Sequence, residues 1–422
     1  MKKNIIIIIS ILIFCFIWIN AGYSSDLPPL IIPQGCCVNI HFAGAGHQKE
    51  IKLINKAGFK FIRMDISWTS IEQKKGVYNW TQYDILTKEL AKSGIRPLYI
   101  LDYGNPLYTK KAWNYPPTTS KAIAAYAKWA AAAAKHFKGQ HVVWEIWNEP
   151  NGGWFWKPKA NVQQYIKLAL ATAKAIRKAN PNATIIAPAC SGIDWSFLKE
   201  VCKSELLKYI NGVSVHPYRD EPPETVIADY IKLKKIINKY APLNKKNKIP
   251  IICSEWGYNY GWWSKITPKI QGEYLVRIQI IDEWMRIPIT TWYDFADYYV
   301  GNHVKHYWGI VTMHLKPKPD YIDEEILTHK LFGYSVIKKI STSDSHFYIL
   351  LCKNKQGNYK IAAWTTGKPQ LVKFSHLFKK TNRYIYLTGL PIYIKGPFSS
   401  KITDNKNPTI SIISGCNTNF TF

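Results

Sequence analysis

Short apolar, β-branched runs alternate along the chain with longer stretches in which apolar residues recur every three or four positions. The runs predict strands at Val38–Phe42, Phe61–Ser67, Arg96–Asp102, Val142–Asn148, Thr184–Pro188, Gly212–His216, Ile249–Ser254 and Thr290–Phe295. The helical period predicts helices at Gln48–Ala57, Trp80–Lys92, Thr119–Phe137, Val162–Ala179, Ile227–Tyr240 and Pro268–Arg286. A shorter one is expected at Trp195–Ile210, and the last near Tyr321–Ile340. This alternation predicts an α/β fold, a (β/α)8 TIM barrel whose strands, buried on both faces, read as unbroken apolar runs. A doubly wound open sheet would carry a phosphate-binding turn after its first strand. "HFAGAGHQKE" has glycines there without the required spacing.

Beyond the last helix the pattern changes to "HFYILLCK", "NYKIAAWTT", "NRYIYLTGLPIYI" and "TISIISG", short strand-like runs between turn residues. They predict a small C-terminal β-sandwich over residues 341–422, after a barrel over 36–340. At the other end, two lysines, an apolar run from Ile5 to Ile19 and small residues at Ala21 and Gly22 read as a secretory signal peptide over residues 1–25. The run is short for a membrane span, so a membrane association is expected only if this segment stays uncleaved. The location implied is secreted or cell envelope.

Cysteine and charge narrow the chemistry. Without the leader, Cys36, Cys37, Cys190, Cys202, Cys253, Cys352 and Cys416 remain, with no CxxC pair and no Cys/His spacing for zinc, so neither a metal nor any other cofactor is expected. Their pairing is open. The net charge is +28, but only seven of the 56 basic residues are arginine and they are spread along the chain. Nucleic-acid binding would call for a basic stripe on a recognisable module, which is missing. An anionic glycan or cell surface is the partner such a field favours.

Two carboxylates stand at predicted strand ends. Glu149 closes the fourth run in "VVWEIWNEPN", and Glu255 closes the seventh in "IPIICSEWGYN". In a (β/α)8 barrel the C-terminal strand ends surround one mouth, so acids 106 residues apart in sequence are expected to face each other. Such a pair is what glycosidic hydrolysis requires, at about 5–5.5 Å if configuration is retained, and with protonation states held apart. Alternation predicts that Glu145, Trp147 and Glu149 share one face, Cys253 and Glu255 another, and Arg63 and Asp65 a third. Arg63 is expected inside the barrel, keeping Glu255 ionised and compensating Glu145.

"WEIWNEPN" and "ICSEWGYN" resemble the clan A glycoside hydrolases, as do "VNIHFAG", "AGFKFIRMDISWTSIEQKKGVYNWTQYD", "VSVHPY" and "TTWYDFADY" in the same order. The likeness is to family 39 and to the cellulase-like proteins of family 5, over most of residues 36–335. It implies a secreted retaining glycosidase acting on β-linked oligo- or polysaccharides, with Glu149 as acid/base and Glu255 as nucleophile. It also implies that Asn148 holds the sugar 2-hydroxyl, that His216 and Tyr218 line the sugar site, that Trp292 forms a platform under the ring, and that His41 occupies the first-strand position. Trp154, Trp156, Trp262, Trp263 and Trp308, in strand-end loops, are candidate sugar-stacking residues. The alternatives are an exo-acting β-xylosidase-like enzyme and a weakly catalytic carbohydrate-binding envelope protein.

Overall fold

The computed structural model describes residues 26–109, 112–261, 264–300, 304–342, 344–374, 378 and 383–398. Eight parallel strands close into a barrel in sequence order. They are β1 (Cys36–Asn39), β2 (Phe61–Ser67), β3 (Arg96–Asp102), β4 (Val143–Ile146), β5 (Thr184–Ser191), β6 (Gly212–His216), β7 (Ile251–Trp256) and β8 (Thr290–Trp292). Closure of β1 on β8 through Cys36↔Thr290 excludes the open sheet. The helices that cover it start where a side chain can take up orphan N–H groups: Thr119, Asn161, Asp194 and Thr267 cap Ser120–His136, Val162–Ala179, Trp195–Lys203 and Pro268–Trp284.

Two apolar layers hold the barrel. Inside, Cys37, Phe61, Leu98, Val143, Ile186, Ile252 and Ile289 form a plug with one side chain from each of β1 to β5 and β7, and Ile289 from just before β8. On β6 Gly212 leaves room, because a Cβ would lie 2.7 Å from Ile252 Cγ1. Outside, the large cluster joins strand residues such as Tyr99, Trp144 and Ile185 to helical ones such as Trp129, Leu168 and Leu275. Burying each large side chain contributes roughly 1.5–3 kcal/mol. The outer layer also encloses Asp282, Asp320 and Glu324, which are fully buried. Burial pushes Asp282 and Asp320 up to about 7 and Glu324 up to about 8.

Alternation fails at two strand ends. β4 stops at Ile146, and Trp147 and Glu149 take left-handed backbone, with φ of 66° and 46°. Trp147 therefore leaves the face of Glu145 and turns outward onto Tyr126 and Trp156. In β7 the pairing with β8 shifts between Cys253 and Trp256. Cys253 faces Tyr230 and Asp282 on the helical side, whereas Glu255 turns inward to Arg63. The two share no face. Arg63 and Asp65 do lie on the same side of β2 as Phe61 of the plug.

The last barrel helix is Pro319–Lys330, and the stretch expected to continue it to Ile340 is instead a strand. After a hairpin of β9 (Tyr298–Val300) and β10 (Val304–His306), the C-terminal strands are β11 (Tyr334–Lys339), β12 (Phe347–Asn354), β13 (Tyr359–Thr365), β14 (Gln370–Phe374), β15 (Arg383–Leu387) and β16 (Ile392–Lys395). They form a four-stranded antiparallel sheet, β11-β12-β13-β16, and a β14-β15 hairpin, facing each other across Phe347, Leu351, Ile361, Val372, Phe374 and Leu387. This is the small sandwich. "TISIISG" and the leader lie outside the described residues.

The sandwich is fastened to the barrel by a buried polar clamp. Arg277 donates to both oxygens of Glu224, and the Trp364 indole on β13 donates to Glu224 Oε1 at 2.8 Å. At the N-terminal side, Ile32 N–H donates to Tyr334 O at 2.9 Å and Gly333 N–H to Ile32 O at 2.8 Å. Cys36, Cys37, Cys190, Cys202, Cys253 and Cys352 are free thiols, all buried. Among the described residues no helix is long and apolar enough to cross a membrane.

Candidate active site

The mouth of the barrel is organised by one guanidinium. Arg63 is buried, and its Nε donates to Glu145 Oε2 at 2.8 Å. Its Nη1 donates to Asn39 Oδ1 at 3.2 Å and to Glu255 Oε2, and its Nη2 to Asn148 Oδ1 at 2.7 Å and to His216 Nε2 at 3.3 Å. An arginine only donates, so His216 Nε2 accepts and the ring proton sits on Nδ1. From there it donates to Glu149 Oε1 at 2.9 Å. The Asn148 carbonyl is occupied by Arg63. Tyr218 OH donates to Glu255 Oε1 at 2.9 Å. The guanidinium thus touches Glu145 and Glu255 directly and reaches Glu149 through His216.

Oxygens of Glu149 and Glu255 and a nitrogen of His216 all lie within 4.8 Å of one another. That spacing agrees with the retaining class of carboxylate pairs, about 5–5.5 Å, rather than with the wider one of inverting pairs. The same three groups have the spacing of a metal site. Both His216 nitrogens are engaged and Arg63 stands on Glu255, so the donor set is already spent on protons and a fixed cation.

The acid expected to be protonated is held the other way. Burial pushes the Glu149 carboxyl up, but the His216 N–H, the Ser191 hydroxyl and the Arg63 charge together draw it below the usual carboxylate range. In the unliganded site Glu149 is ionised at neutral pH. Ser191 was not foreseen; it lies at the end of β5, where Asn151 from the loop after β4 brackets its backbone, accepting from its N–H at 2.8 Å and donating to its carbonyl at 2.9 Å.

Around this centre the remaining candidates separate. His41 is half exposed, and its Nε2 lies 2.9 Å from buried Asp294 Oδ2. Burial would lower His41, but the Asp294 carboxylate outweighs it and lifts the imidazole to about 9. His41, Asp294, Tyr293 and Tyr298 line a cavity of about 380 Å³ beside Glu255. Trp292 is no platform: it is 1% exposed and faces the helical layer. The next residue, Tyr293, lines the cavity instead, edge-on to His41 and to Trp308. Trp308 also meets Tyr218 edge-on and is partly open. Trp156 is fully buried against Trp147 and Tyr165 and is a core residue. Trp154 is 66% exposed, with Lys157 over its ring. Trp262 and Trp263 lie outside the described residues. Asn39 and Tyr293 joined the site without having been singled out: alternation in "CCVNIH" puts Asn39 on the face of Cys37, whereas nothing in "TTWYDF" separates Trp292 from Tyr293.

A sequence model of the family described as Cellulase (glycosyl hydrolase family 5) matches residues 35–293. A protein described as a β-xylosidase, from Geobacillus stearothermophilus, is 25% identical, over 68% of this chain and 66% of its own length. The chain therefore spans about two thirds of that relative. Among solved structures, a family 39 glycoside hydrolase from Bacteroides cellulosilyticus WH2 superposes with a TM-score of 0.72 at 24% identity, covering 88% of this chain and 82% of its own. A family 39 β-xylosidase from Caulobacter crescentus gives 0.60 at 17% identity, with 84% of each chain covered.

Proposed function

Since the chain belongs to the cellulase family of glycosyl hydrolases, family 5, we propose that it is a retaining glycosidase cleaving β-linked oligo- or polysaccharides. The observation that carries this reading is the pair of carboxylates, Glu149 and Glu255, with oxygens within 4.8 Å at the mouth of the barrel. Glu255, held by Arg63 and Tyr218, attacks the anomeric carbon, while Glu149 passes a proton to the leaving oxygen. The glycosyl ester on Glu255 is then hydrolysed by a water that Glu149 deprotonates. Asn148, with its carbonyl tied to Arg63, donates to the 2-hydroxyl, and Tyr293 and Trp308 provide the aromatic walls. The β-xylosidase relatives support exo action on a terminal sugar as the narrower form of this reading. Export is part of the proposal and rests on the lysines and apolar run at residues 1–25.

The test is stereochemical. The first-formed product keeps the substrate's anomeric configuration by NMR, and a 2-fluoro glycoside labels Glu255. Inversion, or a label elsewhere, would remove the double displacement.

A further inference from the structure

The end of the barrel opposite the mouth is formed by the turns that run from each helix into the next strand. Cations gather there. Some suit the carbonyl ends of their helices, as Lys56, Lys92, Lys135 and Lys239 do in last turns. The charge continues past the helices into the turns themselves, with Lys138 before β4, Lys246 and Lys248 before β7 and Arg286 before β8, all exposed. Carboxylates at this end are already engaged: Glu89 with Lys92 at 2.6 Å, Glu200 with Lys203 at 2.6 Å, Glu205 with Lys208 at 2.5 Å and Asp26 with His141 at 2.5 Å. The mouth, by contrast, gathers Glu149, Glu255 and Asp294. Part of the +28 charge of the chain thus faces away from the catalytic carboxylates as a basic surface.

Two further features share this end. In "APLNKKNKIP", residues 241–250, Leu243 is 90% exposed, more than any other large apolar side chain among the described residues. The turn that carries it is pinned, because Lys245 Nζ donates to Lys208 O at 2.9 Å and Ile210 O at 2.8 Å. A lone exposed leucine is ordinary. One fixed beside Lys246 and Lys248 has the composition of an interfacial anchor, an apolar side chain to enter the lipid and cations to meet its phosphates. The second feature is where the chain arrives. Asp26 N–H donates to Thr184 Oγ1 at 2.8 Å, at the start of β5, and its carbonyl accepts from Arg96 Nη2 at 2.7 Å, at the start of β3. Residues 1–25 therefore join the barrel at this end. Six residues separate Ile19, the last of the apolar run, from Asp26, and fully extended they reach about 20 Å.

We propose that the end of the barrel opposite the mouth docks on an anionic lipid surface, with Leu243 entering the headgroup layer and Lys138, Lys246 and Lys248 facing the phosphates. The mouth then points away from the bilayer and stays open to a polysaccharide. A free or wall-bound polyanion would engage the same lysines but would have no use for Leu243.

The experiment measures partition of the full chain onto sedimenting vesicles of phosphatidylglycerol and phosphatidylcholine in equal parts, and onto phosphatidylcholine alone. The ratio of the two reads the electrostatic contact, because the apolar run and Lys2 and Lys3 are common to every variant. The wild-type ratio is expected to be at least about 100 in low salt and to fall as salt is added. Replacing Lys138, Lys246 and Lys248 with Glu should lower it at least about tenfold. The same change of charge at Lys74, Lys159 and Lys265, exposed in loops at the mouth end, should lower it less than about threefold. Equal falls in the two triple variants would make the attraction one of net charge and overturn the docking face, as would a wild-type ratio near one. Leu243→Ser is expected to weaken binding to the anionic vesicles about fivefold and to leave binding to poly-glutamate beads unchanged. If Leu243→Ser weakens neither while the beads depend on Lys138, Lys246 and Lys248, the surface takes a polyanion and the lipid proposal fails. Thermal melting checks each variant, and should the first triple variant not fold, Lys246→Glu with Lys248→Glu carries the same comparison.

Discussion

At the scale of single residues, the site depends on where Arg63 spends its donors. Replacing it with alanine leaves Glu145 buried without its partner and Glu255 without its cation, and breaking a buried pair this way costs about 3–5 kcal/mol. Arg63→Ala is expected to lose both melting temperature and kcat. Unchanged turnover in a merely destabilised variant would leave Arg63 a scaffold residue. The direction of the Glu149 shift sets a pH dependence. Its carboxyl lies below the usual range, so the protonated form needed to expel a poor leaving group grows only as pH falls. Turnover of a natural disaccharide should therefore peak on the acidic side of neutrality, while an activated aryl glycoside, which needs no proton, should decline less toward neutral pH. Glu149→Ala should remove this difference, and equal pH profiles for the two substrates in the wild type would count against Glu149 as the acid.

At the scale of elements, two glycines allow a comparison between the ends of the barrel. A Cβ on Gly257, just past β7, would lie 2.0 Å from Tyr293 O; one on Gly35, just before β1, would lie 2.1 Å from Pro288 O. Overpacking of this kind costs roughly 1–3 kcal/mol at either end. Gly257→Ala displaces Tyr293 at the mouth and is expected to lose activity beyond its loss of stability, whereas Gly35→Ala is expected to lose stability alone. Melting curves and kcat/KM on the two variants decide it. The same contrast separates what the sequence made legible from what it did not. Strand interiors such as Phe61–Ser67, Arg96–Asp102 and Gly212–His216 were readable to the residue, because burial on both faces forces an apolar run. The strand ends were not, because the left-handed turns at Trp147 and Glu149 and the slip in β7 break the period from which faces are inferred. Glu149 and Glu255 were legible as charges closing apolar runs, and Arg63 as a charge inside one. Trp292 and Trp156 were misplaced because an indole reads the same whether it faces a sugar or a helix, and β11 was hidden behind a helix whose pattern ran on into it.

At the scale of the molecule, the buried acids of the outer layer give stability a slope in pH. Native Asp282, Asp320 and Glu324 hold their protons up to about 7, 7 and 8, while unfolded chains release them near 3.8 and 4.5. Between those limits the unfolded state binds fewer protons, so these groups make folding less favourable as pH rises, and their effect levels off above about 8. Melting temperature should fall from pH 5 to pH 8, and Glu324→Gln should flatten the fall. A melting temperature that rises over this range would contradict the burial of these carboxyls.

The clamp of Glu224, Arg277 and Trp364, together with the hydrogen bonds between Ile32 and the Gly333–Tyr334 segment, constrains the order in which the protein can be made. Glu224 and Arg277 emerge from the ribosome long before Trp364, and Ile32 waits some 300 residues for Tyr334. Until then a newly made barrel carries a buried-to-be carboxylate without its indole donor, and an Ile32 backbone without its Gly333–Tyr334 partners. The sandwich can therefore dock only after Trp364 has been made, so the contacts that fix it to the barrel form later than the barrel's own strands. A ribosome stalled after Lys330, with a spacer long enough to clear the exit tunnel, should hold a nascent chain that proteases cut more readily than one stalled in the same way after Phe422.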